Sequence, residues 1–97
     1  MVKRTSVFDK WLNKLRDQRA KGKILDRISY TIEGNLGDHH SVGGGVSEMR
    51  INYGPGYRLY YTEQGEEIIL LLCGGDKDSQ QSDVARAKEI VKKLKLE

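Results

Sequence analysis

The sequence predicts an α+β chain, and three observations carry that expectation. Two stretches with apolar residues at helical spacing come first, two stretches alternating with period two follow, and an unbroken apolar run precedes a last helical stretch. The order is α-α-β-β-β-α, with one more edge strand near Ser41-Val42.

Each element has its own signal. Ser6-Val7-Phe8-Asp9 has the form of a capped helix start, after which Phe8, Trp11, Leu12 and Leu15 recur at helical spacing with basic residues between them. The pattern breaks around Lys21-Gly22-Lys23, restarts with Ile24, Leu25, Ile28 and Ile32, and stops at Gly34, so a helical hairpin is expected. Residues 35–45 are glycine-rich and lack periodicity, which predicts a loop. No Lys-Ser/Thr follows Gly43-Gly44-Gly45, so a phosphate-cradling P-loop is not supported.

From Val46 the period becomes two. Met49, Ile51 and Tyr53 point one way and Glu48, Arg50 and Asn52 the other; beyond Gly54-Pro55-Gly56, Tyr57, Leu59 and Tyr61 alternate with Arg58, Tyr60 and Thr62. Matching apolar faces sets Tyr53 opposite Tyr57, Asn52 opposite Arg58 and Arg50 opposite Tyr60. Gln64-Gly65 is read as a two-residue turn. The run 68–73 lacks alternation, as a strand covered on both faces does. Ser82-Asp83 then caps a helix whose apolar positions are Val84, Ala87, Ile90, Val91 and Leu94.

The length of 97 residues and a hydrophobic content of 37% fit one compact domain, residues 1–97. The basic start is not followed by an apolar core of a signal peptide, and no stretch approaches the roughly 20 apolar residues of a membrane span, so a cytoplasmic protein without membrane contact is expected. The lone Cys73 lies in the most apolar run, which excludes an internal disulfide and predicts a buried thiol. The net charge of +3 is unevenly spread: residues 1–27 hold nine Lys/Arg against three Asp/Glu, residues 28–83 three against nine, and residues 84–97 five against two. Basic ends of this kind attract a polyanion, although solvated helix faces produce similar counts.

Several segments then carry a resemblance: Phe8-Asp9-Lys10-Trp11-Leu12, Gly34-Asn35-Leu36-Gly37-Asp38, Ser47-Glu48-Met49-Arg50-Ile51, 54–61 and 71–80. In this order, over nearly the whole chain, they resemble the phage-derived branch of the RelE/HigB-like addiction-module killer proteins. The resemblance implies two N-terminal helices packed on a small antiparallel sheet of three to four strands, with a C-terminal helix. It also implies a type II toxin that cleaves mRNA, often on the ribosome, without metal or cofactor, and a cognate antitoxin that silences it.

Working groups in that family are basic and aromatic residues on the sheet and after its last strand, and the matching positions are Arg50, Arg58 and Lys77. Independently, these are the only Lys/Arg in residues 28–83, on strands and a loop expected to face solvent on one side. Cleavage by the ribose 2′-oxygen needs one proton removed, another donated and phosphorane charge offset; these cations supply the third role. Tyr60 shares their face, where it could stack on a base or orient a phosphate, as readily as it could serve the sheet. His39 and His40, the only histidines, are not family motif positions. Exposed loop histidines are the simpler reading, yet His40 is the natural candidate for a base. Two adjacent histidines without further spaced ligands do not make a zinc site. Asp76, Asp78 and Gln80 flank Lys77 and suit a turn or cap. A second reading is a ParE-like inhibitor of DNA gyrase, and a third an inactive binding relative, since fold does not fix function.

Overall fold

The computed structural model describes residues 1–96. Eight elements follow in order: β1 (Val2–Arg4), α1 (Ser6–Lys14), α2 (Gln18–Ile32), β2 (His39–Gly43), β3 (Val46–Ile51), β4 (Tyr57–Gln64), β5 (Ile68–Gly75) and α3 (Gln80–Leu96). One five-stranded sheet has the order β1-β5-β4-β3-β2. It is mixed, which corrects the expected three- to four-stranded antiparallel sheet: β1 runs parallel to β5, with Val2 opposite Ile69 and Arg4 opposite Leu71.

The missed strand has a physical explanation. Lys3 and Arg4 are exposed, so no alternation of burial marks β1, and main-chain bonds anchor its ends: Ile69 N–H donates to Met1 O at 2.9 Å and Thr5 N–H to Leu71 O at 3.0 Å. A short basic strand is also a poor template for further pairing, which suits a sheet edge. With β1 in place β5 is internal, and its apolar run is buried between two layers.

On one face α1 and α2 cover the sheet. Phe8, Leu12, Ala20, Ile24 and Ile28 pack with Met49, Ile51, Tyr57, Leu59, Tyr61 and Leu71. On the other face α3 supplies Ala87 and Val91 against Val46, Tyr60, Leu70, Leu72 and Cys73. Successive Leu72 and Cys73 face the same way because β5 bulges opposite β4, where Tyr60 pairs with Cys73 and Tyr61 with Leu71. Beyond the bulge, Gly74 lies under the Trp11 ring: a β-carbon there would sit 2.3 Å from ring atoms, so a side chain is sterically excluded.

Helix limits differ from expectation where a polar side chain caps earlier. Thr5, not Ser6, caps α1, its Oγ1 accepting from Phe8 N–H at 3.0 Å. Asp17 accepts from Arg19 and Ala20 N–H groups and starts α2 upstream of Lys21-Gly22-Lys23, which therefore lies inside the helix; Leu25 and Ile32 face solvent. Ser79, whose carbonyl accepts from Asp83 N–H at 2.9 Å, precedes α3, so Ser82-Asp83 fall inside it.

The hairpin register is shifted by two residues from the expected one. Ile51 pairs with Tyr57, Arg50 with Arg58 and Glu48 with Tyr60. Tyr53 does not pair with Tyr57 but leaves the strand in a turn, Tyr53 N–H donating to Ile51 O at 2.9 Å. A shift of two keeps every side chain on its expected face, whereas a shift of one would not. The β4–β5 turn spans 65–67 rather than two residues. No helix of the described residues is long and apolar enough to cross a membrane.

Candidate functional site

The region 35–45 carries the edge strand expected near Ser41-Val42. His39–Gly43 forms edge strand β2, with His40 opposite Glu48. Because side chains alternate across a strand, His40, Glu48 and Tyr60 lie in one row across β2, β3 and β4. Arg50 and Arg58 form the next row. All five are on the sheet face away from α1 and α2, as the alternation requires.

Their center is Glu48, which is wholly buried. Its Oε1 lies 2.7 Å from His40 Nε2 and 2.8 Å from Arg50 Nε; its Oε2 lies 3.3 Å from Gln80 Nε2 and 3.8 Å from Arg58 Nε. Like charges directly opposite each other on neighboring strands destabilize a sheet. The carboxylate lying between the guanidinium groups of Arg50 and Arg58 offsets that repulsion, and their charges in turn make its burial tolerable.

The members differ in what solvent can reach. The side chains of His40 and Arg50 are 41% and 44% exposed, whereas that of Arg58 is 10% exposed. Arg58 donates to Gly56 O at 3.0 Å and so braces Glu48 and the hairpin loop from within. This corrects the expectation that Arg58 faces solvent. Tyr60 is fully buried and cannot stack on a base; burial, with Glu48 beside it, raises its pKa well above the ordinary tyrosine value, so the hydroxyl stays protonated. Among the described residues neither that hydroxyl nor Arg58 Nε has a hydrogen-bond partner.

Lys77 is exposed in the β5–α3 loop, its β-carbon beside Gly56 at the Arg58 end of the cluster. Asp76 is a turn residue, as expected, its Oδ1 accepting from Asp78 N–H at 2.9 Å and Ser79 N–H at 3.1 Å. His39 is exposed and its Nδ1 contacts Gly37 O at 2.7 Å, away from the cluster. Cys73 is buried, as expected, and burial pushes its thiol pKa up to about 12.

His40 is therefore a strand residue in contact with an acid rather than one of a free loop pair. His40 Nε2 lies 2.7 Å from Glu48 Oε1 and 3.1 Å from Arg50 Nη2; a carboxylate only accepts, so the shorter contact assigns an N–H to Nε2, and in the neutral ring Nδ1 is then the acceptor. Glu48 escaped the sequence reading although a signal existed: it is an acid on the Arg50 face of an otherwise apolar strand. Gln80, expected to serve a turn or cap, instead opens α3 and reaches Glu48 from 32 residues away; its place just after the last strand beside Lys77 was the signal.

No protein-family model matches the chain. A Haemophilus influenzae protein is 46% identical over 95 residues, covering 98% of this chain and 96% of that one. The chain belongs to the same family as that protein, which bears the name "Uncharacterized protein".

Proposed function

We propose that this chain is a toxin of a type II toxin-antitoxin system, of the RelE/HigB-like kind, and acts in the cytoplasm as a metal-independent mRNA endoribonuclease. The observation that carries the reading is the imidazole of His40 on a buried carboxylate, with two guanidinium groups on the same carboxylate.

In this reading Glu48 is too buried to meet RNA, and it acts by holding Nε2–H of His40 and orienting the ring. Nδ1 of His40 then takes the proton of the ribose 2′-hydroxyl as that oxygen attacks the adjacent phosphorus. Arg50, half exposed beside it, donates to phosphate oxygens and offsets the charge that develops on them. Arg58 contributes from beneath, by holding the carboxylate in place, and exposed Lys77 adds positive charge at the rim. The bond to the 5′-oxygen breaks, that oxygen takes a proton from a solvent water, and a 2′,3′-cyclic phosphate and a 5′-hydroxyl are left.

An antitoxin that silences such a site would bring an acidic or amphipathic segment over Arg50 and Lys77, or dock beside them and block access of mRNA or ribosome. The test is brief expression of the chain followed by analysis of bulk RNA and plasmid topology. Rapid mRNA cleavage, persisting with purified protein in EDTA, is expected. Intact mRNA with altered DNA topology would move the assignment to a ParE-like gyrase inhibitor.

A further inference from the structure

A second site lies on the α2 side of the same hairpin, in a cavity of about 420 Å³ lined by Lys23, Arg27, Tyr30, Asn35, Asn52 and Tyr53. We propose that this cavity binds an unstacked base of single-stranded RNA whose chain continues around the end of β3 to the cleavage cluster on the other face; the proposal rests on the nuclease reading above and extends it to how the substrate is held.

The cavity is built rather than incidental. Arg27 donates from all three guanidinium nitrogens to main-chain carbonyls, Leu36 at 3.0 Å, Asp38 at 2.8 Å and Arg50 at 2.8 Å. One side chain thus ties α2, the 36–38 segment and the end of β3 into a fixed frame. Gly37, with φ of 65°, lies so close to that guanidinium that a β-carbon there would come within 2.7 Å of it. The frame leaves two tyrosine rings on the cavity wall. Tyr30 is 53% exposed, and the Lys23 ammonium lies 5.1 Å from the ring center of Tyr53.

The lining chemistry suits a base more than a phosphate alone. Aromatic faces stack on any base, and amide side chains pair with base edges. Asn52 is exposed, and among the described residues Asn35 uses only its oxygen, accepting from Gly37 N–H at 3.1 Å, so its amide N–H groups stay available. Lys23 supplies one cation for a neighboring phosphate, while the Asp26 carboxylate on the same wall disfavors a second. Continuity with the cluster comes through Arg50: its carbonyl belongs to the cavity frame and its guanidinium to Glu48 on the other face. A strand passing around the end of β3 meets both.

The experiment titrates a fluorescent, uncleavable 2′-O-methyl hexanucleotide into the full chain and reads anisotropy, with duplex of the same sequence as competitor. Tyr53→Ala should weaken single-strand binding on the order of tenfold while Tyr53→Phe binds like the parent, as a stacking contact requires. Tyr30→Ala, at an exposed helix position, should also weaken it and covers the case in which Tyr53→Ala fails to fold. Wild-type affinity in a folded Tyr30→Ala and Tyr53→Ala, or equal competition by duplex, would overturn the proposal, because binding would then reflect backbone charge alone. Binding is read without turnover. A chain that binds through the tyrosines yet never cuts RNA would contradict the nuclease reading and leave this site standing.

Discussion

Replacing Arg58 with Ala separates the structure's account of the cluster from the simplest sequence account. A solvent-facing strand arginine could be removed within about half a kcal/mol. Arg58 is instead buried beside a carboxylate that is itself wholly buried, with 3.8 Å between Nε and Oε2. Breaking a buried ion pair by deleting one partner costs about 3–5 kcal/mol, because the remaining charge is left uncompensated. Glu48 keeps Arg50 at 2.8 Å and Gln80 at 3.3 Å, so the lower end, about 3 kcal/mol, applies. For a domain of this size about 1 kcal/mol moves the melting temperature by roughly 4–8 °C, which places the expected fall near 12–24 °C. Circular dichroism melting of Arg58→Ala and of Arg58→Ala/Glu48→Gln is the assay. The double variant should recover part of the loss, since it no longer buries an uncompensated carboxylate. A melting temperature for Arg58→Ala within about 2 °C of wild type, which corresponds to less than about half a kcal/mol, would refute the reasoning.

Other outcomes follow from the same geometry. Tyr60→Phe removes a buried hydroxyl with no partner among the described residues and leaves the ring in place, so thermal stability should rise or hold; a clear drop would show that the hydroxyl is satisfied. Gly74→Ala would drive a β-carbon into the Trp11 ring and should cost about 1–3 kcal/mol in denaturant melts. Burial raises the thiol pKa of Cys73 from 9.0 to about 12, so the unfolded chain releases that proton first. Its contribution to stability is then intact below pH 9 and is lost as pH rises toward 12, the same direction as for Tyr60. Cys73→Ala should flatten the decline of melting temperature over that window, and an unchanged decline would contradict it.

The parts legible in the sequence were those with a local, periodic cause. Phe8, Leu12, Ala87 and Val91 bury the faces their spacing indicates, and alternation alone put Arg50, Arg58 and Tyr60 on the face away from α1 and α2. Features set by distant partners were not legible. β1 exists because β5 offers main-chain groups to it some 67 residues later, as the Thr5 Oγ1 bond to Leu72 O also shows. The hairpin register leaves Tyr53 outside the strand, where its ring lies beside Lys23 on α2, a partner that strand alternation does not encode. The same holds at the site. Alternation tells which side chains share a surface but not their depth: α3 and the hairpin loop enclose Tyr60 and Arg58, and only the pairing of β2 with β3 sets His40 against Glu48.

Single-turnover cleavage of a short RNA in EDTA, with analysis of the product ends, tests the central claim most directly. His40→Ala and Arg50→Ala each remove a partner of buried Glu48 and should lower the melting temperature, so cleavage is read well below it, where circular dichroism shows each variant folded, and there each should slow cleavage about a hundredfold or more. Wild-type product should carry a 2′,3′-cyclic or 3′-phosphate. Cleavage by folded His40→Ala and Arg50→Ala at the wild-type rate, or 5′-phosphate ends that vanish with chelator, would contradict the account.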